Sequence, residues 1–144
     1  MNKFFDNSFK KVVLDEGGYA NDKDDTGGET YLGISRVHNP DLKMWKVIDT
    51  IKSNTGTKDI NNKLKVIPSI IDEVKKVYKQ RYWDCIQLDQ LNSEELAHQI
   101  FDMAVNSGTN MAIKLAQELV GLPKTGIYTN GLLVKLKAYG DASN

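Results

Sequence analysis

The chain has 144 residues, the usual size of one domain, and this is enough to bury a core without disulfides or metals. Its 19 basic and 19 acidic side chains balance, so no overall field draws it onto nucleic acid or a charged membrane. Neither is expected as a partner. The single cysteine, Cys85, cannot form an internal disulfide, and we expect it to be a small buried residue.

Two regional features refine this view. Residues 41–83 carry ten Lys or Arg against five Asp or Glu, which indicates a solvated face or, as the alternative, a lobe that holds an anionic polymer. The first residues, MNKFFDNSF, lack the apolar core of a signal peptide, and no stretch reaches membrane-spanning length. We therefore expect synthesis in the cytoplasm and no stable membrane insertion.

The first predicted element is an amphipathic helix over residues 4–16. At 3.6 residues per turn, its apolar side chains share one narrow sector with a carboxylate: Phe5, Phe9, Val12, Val13 and Glu16. Gly17 and Gly18 follow, and we expect them to adopt the left-handed backbone that ends a helix.

Residues 19–35 are polar and rich in glycine, which predicts turns and a short hairpin. Helical periodicity returns after Pro40, stops near Gly56 and resumes after Pro68. Three more helices follow, so about six are expected in all. The first contains Leu96 to Val105 and is capped by Asn92 or Ser93. The second covers Met111 to Val120 and is followed by Gly121. The third covers Asn130 to Tyr139, with Thr129 as its cap and Gly140 as its stop.

Glu16 is the most informative residue for chemistry. A carboxylate on an apolar stripe tends to have a raised pKa and to keep its proton, as a general acid requires; the alternative is a last-turn residue that faces solvent. Glycoside hydrolysis pairs such an acid with a second carboxylate that stays ionised. The loop that follows offers four acids for the second role: Asp22, Asp24, Asp25 and Glu29.

Several spaced elements agree in order with a known family. They are Glu16-Gly17-Gly18-Tyr19, Asn21-Asp22, Asp25, Gly27-Gly28, Thr30 and Gly33-Ile34, and later Tyr82-Trp83-Asp84, residues 101–108, Ala112 and Gln117. Over about residues 4–135 the chain resembles glycoside hydrolase family 108, the phage and bacterial muramidases. Thr26 stands where the family usually has Pro, and Glu29 where it commonly has a small residue.

The resemblance implies a mainly α, lysozyme-like fold in a single domain over 1–144. Residues 1–90 would form the catalytic part, and 91–144 a helical part like the family's peptidoglycan-binding region. It further implies that Glu16 is the catalytic acid, that Asp25 is the leading second carboxylate, and that Thr30 positions water or sugar. No metal or cofactor is implied.

A second group of residues is expected to contact substrate. Tyr19, Tyr31 and Trp83 have rings that stack on sugars in some proteins, although aromatics at helix ends pack in cores more often. Glu29 and Asn106 are further candidates. For Asn106 the alternative is a residue that, like Asp102, ties a helix end.

The expected activity is hydrolysis of the β-1,4 bond between N-acetylmuramic acid and N-acetylglucosamine in bacterial peptidoglycan. The chain resembles a phage or prophage endolysin, a bacteriolytic monomer that acts on the cell wall and reaches it through a holin-type release partner. Two alternatives stay open: a catalytically silent peptidoglycan-binding scaffold, and a lytic transglycosylase that leaves an anhydro-muramic end.

Overall fold

A computed structural model of the chain describes residues 3–22 and 28–143. The architecture is mainly α and lysozyme-like, as predicted, with seven α-helices and one small antiparallel sheet within the described part. The chain divides into two compact units. The sheet unit is Val13–Val77, and the helical unit comprises the segments up to Val12 and from Tyr78.

The hairpin predicted between residues 19 and 35 forms the three-stranded sheet of the sheet unit. Strands β1 (Tyr19–Asn21), β2 (Glu29–Tyr31) and β3 (Ile34–Ser35) lie in the order β1-β2-β3, and all neighbours are antiparallel. Tyr31 pairs with Ile34, so β2 and β3 are joined by a tight two-residue turn.

Three helices complete the sheet unit: α2 (Met44–Thr55), α3 (Ile60–Lys65) and α4 (Pro68–Tyr78), whose last residue begins the helical unit. Helix α4 begins at Pro68, as predicted, because proline suits the first helical position. Helix α3 was not predicted. It has six residues and only two buried apolar side chains, Ile60 and Leu64, which is too short a pattern for periodicity to reveal.

The helix predicted over 4–16 is shorter and less regular than expected. Helix α1 (Phe4–Phe9) continues as a π-helical turn over Lys10–Leu14. A π turn holds one extra residue, so each later side chain is rotated by roughly 100°, one residue's share of a 3.6-residue turn. Glu16 consequently lies exposed in the following turn, and the expectation that it shares the apolar stripe is wrong.

The helical unit contains α5 (Glu94–Ser107), α6 (Thr109–Leu119) and α7 (Asn130–Ser143). The predicted caps are confirmed, since the Ser93 hydroxyl accepts from the amide of Leu96, and that of Thr129 from Leu132. The stop at Gly140 is wrong, because α7 continues to Ser143. A Cβ at Gly140 would lie 3.1 Å from the Cβ of Ser93, so this glycine permits close packing.

Aromatic side chains fill the core of the helical unit. Trp83 is fully buried, and its ring meets those of Phe5 and Phe101 edge to face at 5.3 and 5.5 Å between centroids. Its indole Nε1 donates to Asp89 at 2.8 Å. Cys85 is exposed rather than buried.

Among residues 3–22 and 28–143, no helix combines the length and apolarity needed to cross a membrane. The same residues contain no group of three or more His, Cys, Asp or Glu side chains arranged to hold a metal ion.

Candidate active site

The segment Glu16-Gly17-Gly18-Tyr19 is fixed by backbone contacts to three parts of the sheet unit. The Gly17 amide donates to the carbonyl of Val13 at 2.9 Å, and the Gly18 carbonyl accepts from the amide of Leu32 at 3.0 Å. The Tyr19 amide donates to Oδ1 of Asn61 at 2.7 Å. The backbone beside Glu16 is therefore held from the preceding helical turn, from the hairpin and from α3.

The two glycines do not provide the expected left-handed helix end, because neither has a positive φ. They are required by lack of space. A Cβ at Gly17 would lie 2.9 Å from Cδ2 of Leu32 and 3.0 Å from the carbonyl oxygen of Val13. A Cβ at Gly18 would lie 3.1 to 3.3 Å from the side-chain amide atoms of Asn61. A larger residue at either position would displace its neighbours.

Leu32 occupies an unusual backbone conformation that brings the hairpin against these glycines. Its φ is 49° and that of Gly33 is 82°, as required in a type I′ turn, the form that matches the twist of a two-residue hairpin. A leucine at positive φ costs about 1–3 kcal/mol. Leu32 is only 1% exposed, so burial of its side chain offsets that strain.

Glu16 itself projects from this framework as an exposed side chain. Its carboxylate makes no hydrogen bond or ion pair with any residue in the described part of the chain. An exposed carboxylate on a rigid backbone segment can reach a ligand without first breaking an internal contact.

A charged network is centred on Glu29 of strand β2. The Glu29 side chain is only 10% exposed. Its Oε1 accepts from Nη1 of Arg36 at 2.9 Å, and its Oε2 accepts from Nζ of Lys52 at 2.7 Å and from the Tyr19 hydroxyl. Nζ of Lys52 also lies 5.6 Å from the centre of the Tyr19 ring, within the range of a cation–π contact.

These contacts set the ionisation of the network. Burial by itself raises the pKa of Glu29, but the hydrogen bonds from Lys52, Tyr19 and Arg36 outweigh it, and the pKa lies below its ordinary value. Burial and the bond to Glu29 raise the pKa of Tyr19, and the bond to Glu29 raises that of Lys52. Glu29 is thus an ionised anchor between two cations.

Arg36 connects this network to α2. Its Nη1 and Nη2 donate to the two carboxylate oxygens of Asp49 at 2.7 and 2.8 Å, a bidentate pair. Its guanidinium also lies 5.6 Å from the ring of Trp45, a buried residue of the same helix. The hydrogen bond from Arg36 lowers the pKa of Asp49.

The remaining predicted residues of the sheet unit have different environments. Thr30 is half-buried and, by strand alternation, faces the side of the sheet opposite to Glu29 and Tyr31. Tyr31 is fully buried, and burial raises its pKa to about 12. Tyr31 is therefore a core residue, which agrees with the alternative that this aromatic side chain packs in the core. Asp22 is exposed, and Asp24 and Asp25 lie outside the described residues.

Two predicted contacts belong to the helical unit. Trp83 has no exposed surface, so it also agrees with the alternative that these aromatic side chains pack in the core. Asn106 is exposed, and its Nδ2 donates to the carbonyl and carboxylate oxygens of Asp102 at 2.9 and 2.8 Å. This is the helix-end tie that was the alternative for Asn106.

Sequence reasoning missed Asn61, Arg36 and Lys52. Asn61 lies on α3, the helix that was not predicted. Arg36 and Lys52 meet Glu29 only because the hairpin and α2 pack together, and nothing in their spacing of 7 and 23 residues from Glu29 indicates it. The one available signal was Glu29 itself, a charged residue in a short strand.

The helices and the small antiparallel sheet together form a lysozyme-like fold. The sequence profile described as Glycosyl hydrolase 108 matches residues 9–108, and the chain belongs to this family. No curated protein matches the sequence significantly. Among solved structures, the chain is similar to SagA of Brucella abortus, with 25% identity and a TM-score of 0.58, over 93% of this chain and 68% of that one.

Proposed function

We propose that the chain is an N-acetylmuramidase that hydrolyses the β-1,4 bond between N-acetylmuramic acid and N-acetylglucosamine in peptidoglycan, with Glu16 as the general acid. Membership of the family supports the reaction class. The observation that carries the assignment is the exposed carboxylate of Glu16 on a backbone held by Val13, Leu32 and Asn61.

In this reaction Glu16, as the carboxylic acid, donates its proton to the glycosidic oxygen as the bond to the anomeric carbon breaks. Because Glu16 is exposed, a sugar chain can reach it, and the bound sugar itself excludes water from the carboxyl. The backbone contacts of Gly17, Gly18 and Tyr19 hold the main chain beside Glu16, which limits the positions that its carboxyl group can take around a bound substrate.

For the second carboxylate we propose Asp25, on the family resemblance alone. Glu29 is a poor candidate because it is only 10% exposed and both of its oxygens are bound by cations. A carboxylate that assists at the anomeric carbon has to face the substrate or a water next to it. Thr30 is proposed to position that water or a sugar hydroxyl, and Tyr19 to border the bound sugar.

The biological setting is proposed on the same resemblance. The chain would act as a phage-type endolysin, a bacteriolytic monomer with peptidoglycan as its substrate, and a holin-type partner would release it to the cell wall. Residues 1–144 would form a single muramidase domain, with the catalytic part over 1–90 and a helical part over 91–144 that resembles the family's peptidoglycan-binding region.

The test is the Glu16→Gln variant on purified peptidoglycan, with product analysis. The amide has a similar shape but cannot donate a proton, so soluble fragments should fall to a small fraction of the wild-type yield. Asp15→Asn is the matched control, because it removes the neighbouring exposed carboxylate and should remain active. Full activity of Glu16→Gln would refute the assignment.

The products separate the alternatives. Reducing muramic ends indicate hydrolysis, anhydro-muramic ends a lytic transglycosylase, and no fragments a binding scaffold. The partner carboxylate is tested by Asp25→Asn, which should damage catalysis far more than Asp22→Asn or Asp24→Asn. Equal effects of the three variants would contradict the role of Asp25.

A further inference from the structure

The Asn61 side chain contacts the backbone that follows the candidate acid, and it has no role in the reaction as described. It is exposed on α3, and its Oδ1 accepts from the Tyr19 amide at 2.7 Å. Its Nδ2 lies 3.2 Å from where a Cβ of Gly18 would be. The side-chain amide therefore lies against the backbone of Gly18.

The oxygen and the nitrogen of the Asn61 side-chain amide have different hydrogen-bonding states. Oδ1 is engaged by the backbone, whereas the NH₂ group carries two donors that make no hydrogen bond with any residue in the described part of the chain. Gly18 is two residues from Glu16, so their Cα atoms are at most about 7 Å apart. The free donors therefore lie close to the backbone of Glu16.

We propose that Asn61 is a substrate-specificity residue, whose Nδ2 donates to the carbonyl oxygen of an N-acetyl group on the bound sugar chain. This rests on the proposed function, because both sugars of that substrate carry an acetamido group. A carbonyl oxygen only accepts, so it complements a group that has only donors to offer. The lack of a side chain at Gly18 leaves the amide open to that approach.

The Asn61→Asp variant separates the two duties of the side chain. A carboxylate still accepts from the Tyr19 amide, so the backbone beside Glu16 stays tied, but it has no N–H to donate. Asn61→Ala loses both. Asn62→Asp is the charge control, since Asn62 is the next residue of α3 and is also exposed. Its bond from Nδ2 to Asp59 is lost in this variant, so circular dichroism checks that the fold is kept. Asn62→Asp adds the same charge as Asn61→Asp.

The substrates are peptidoglycan and the same material after de-N-acetylation. On the acetylated substrate Asn61→Asp should raise KM about tenfold with kcat nearly kept, because the lost bond is present in ground and transition states alike. The KM of wild type should rise by a similar factor when the acetyl groups are removed. The KM of Asn61→Asp should rise little further on the de-N-acetylated substrate, and Asn62→Asp should have the KM of wild type on both substrates.

The same variants in a Glu16→Gln background provide a test that needs no turnover, namely co-sedimentation with insoluble peptidoglycan. If Asn61→Asp binds more weakly to the acetylated wall but not to the de-N-acetylated wall, the contact is supported. This result is independent of turnover, so an inactive wild type would refute the hydrolase proposal and leave the contact standing. An equal loss on both substrates, or an equal loss in Asn62→Asp, would overturn the proposal in favour of a structural or purely electrostatic role.

Discussion

Replacement of Glu29 by Gln removes the anchor of the charged network in the sheet unit. The carboxylate accepts from Lys52 at 2.7 Å, from Arg36 at 2.9 Å and from the Tyr19 hydroxyl. An amide of the same shape keeps one acceptor oxygen and turns an NH₂ group toward a cation. Two positive charges then lose their partially buried counter-charge.

The size of the effect follows from the burial of the partners. Removing one partner of a fully buried ion pair costs about 3–5 kcal/mol, whereas an exposed pair contributes about 0–1 kcal/mol. Glu29 is 10% exposed, but Lys52 and Arg36 are 28% and 35% exposed, so the network lies between these limits. We expect the free energy of unfolding to fall by about 2 kcal/mol, and Tm to fall by about 7 °C at this chain length.

The pH dependence has a definite sign. Because the pKa of Glu29 is lowered in the folded chain, its ionisation stabilises the fold above the unfolded value and this stability is lost as pH falls through the folded value. The difference between wild type and Glu29→Gln should therefore be full at neutral pH. It should shrink as the solution is acidified below about pH 4.5.

Urea unfolding followed by circular dichroism, at neutral and acid pH, measures both effects. Asp49→Asn is the matched control, because Asp49 is 45% exposed and its loss leaves the contact between Arg36 and Glu29 intact. It should cost less than about 1 kcal/mol. The reasoning is refuted if Asp49→Asn destabilises more than Glu29→Gln, or if the Glu29→Gln difference does not change with pH.

Four further substitutions test the packing. Gly17→Ala should destabilise by about 1–3 kcal/mol and lower activity, since its Cβ would meet Leu32 and a backbone carbonyl; unchanged thermal unfolding would contradict this. Tyr31→Phe should stabilise by about 1 kcal/mol in urea unfolding, because the buried Tyr31 hydroxyl bonds to no described residue, and a lower midpoint would show that it has a partner. Gly131→Ala should stabilise α7 by up to about 1 kcal/mol, whereas Gly140→Ala should not, because only Gly140 packs against Ser93; equal Tm changes would refute this difference.

Features that depend on a few neighbouring residues could be predicted from the sequence. Ser93 and Thr129 cap helices because a hydroxyl reaches an amide three residues later, whatever the rest of the chain does. Pro68 begins a helix for a similarly local reason. The hairpin also followed from local turn residues, with Gly33 at a position of positive φ.

The role of the paired glycines beside Glu16 was decided by tertiary structure. Local chemistry suggested a left-handed helix end, but Gly17 and Gly18 are small because Leu32 and Asn61 lie against them. Both of those residues come from later elements of the chain. A glycine that is needed for space cannot be distinguished in sequence from one needed for φ, because the neighbour that fills the space is distant.

The exposure of Glu16 and the position of Asn61 have the same origin. One extra residue in the turn over Lys10–Leu14 rotates Glu16 off the apolar stripe, and the sequence carries no signal for that insertion. Asn61 reaches the acid's backbone from a six-residue helix whose stability comes from packing Ile60 and Leu64. The sequence by itself determined the helix caps and the hairpin, because each depends on neighbouring residues. Long-range packing decided which side chains surround the acid, because such contacts depend on how separate elements meet.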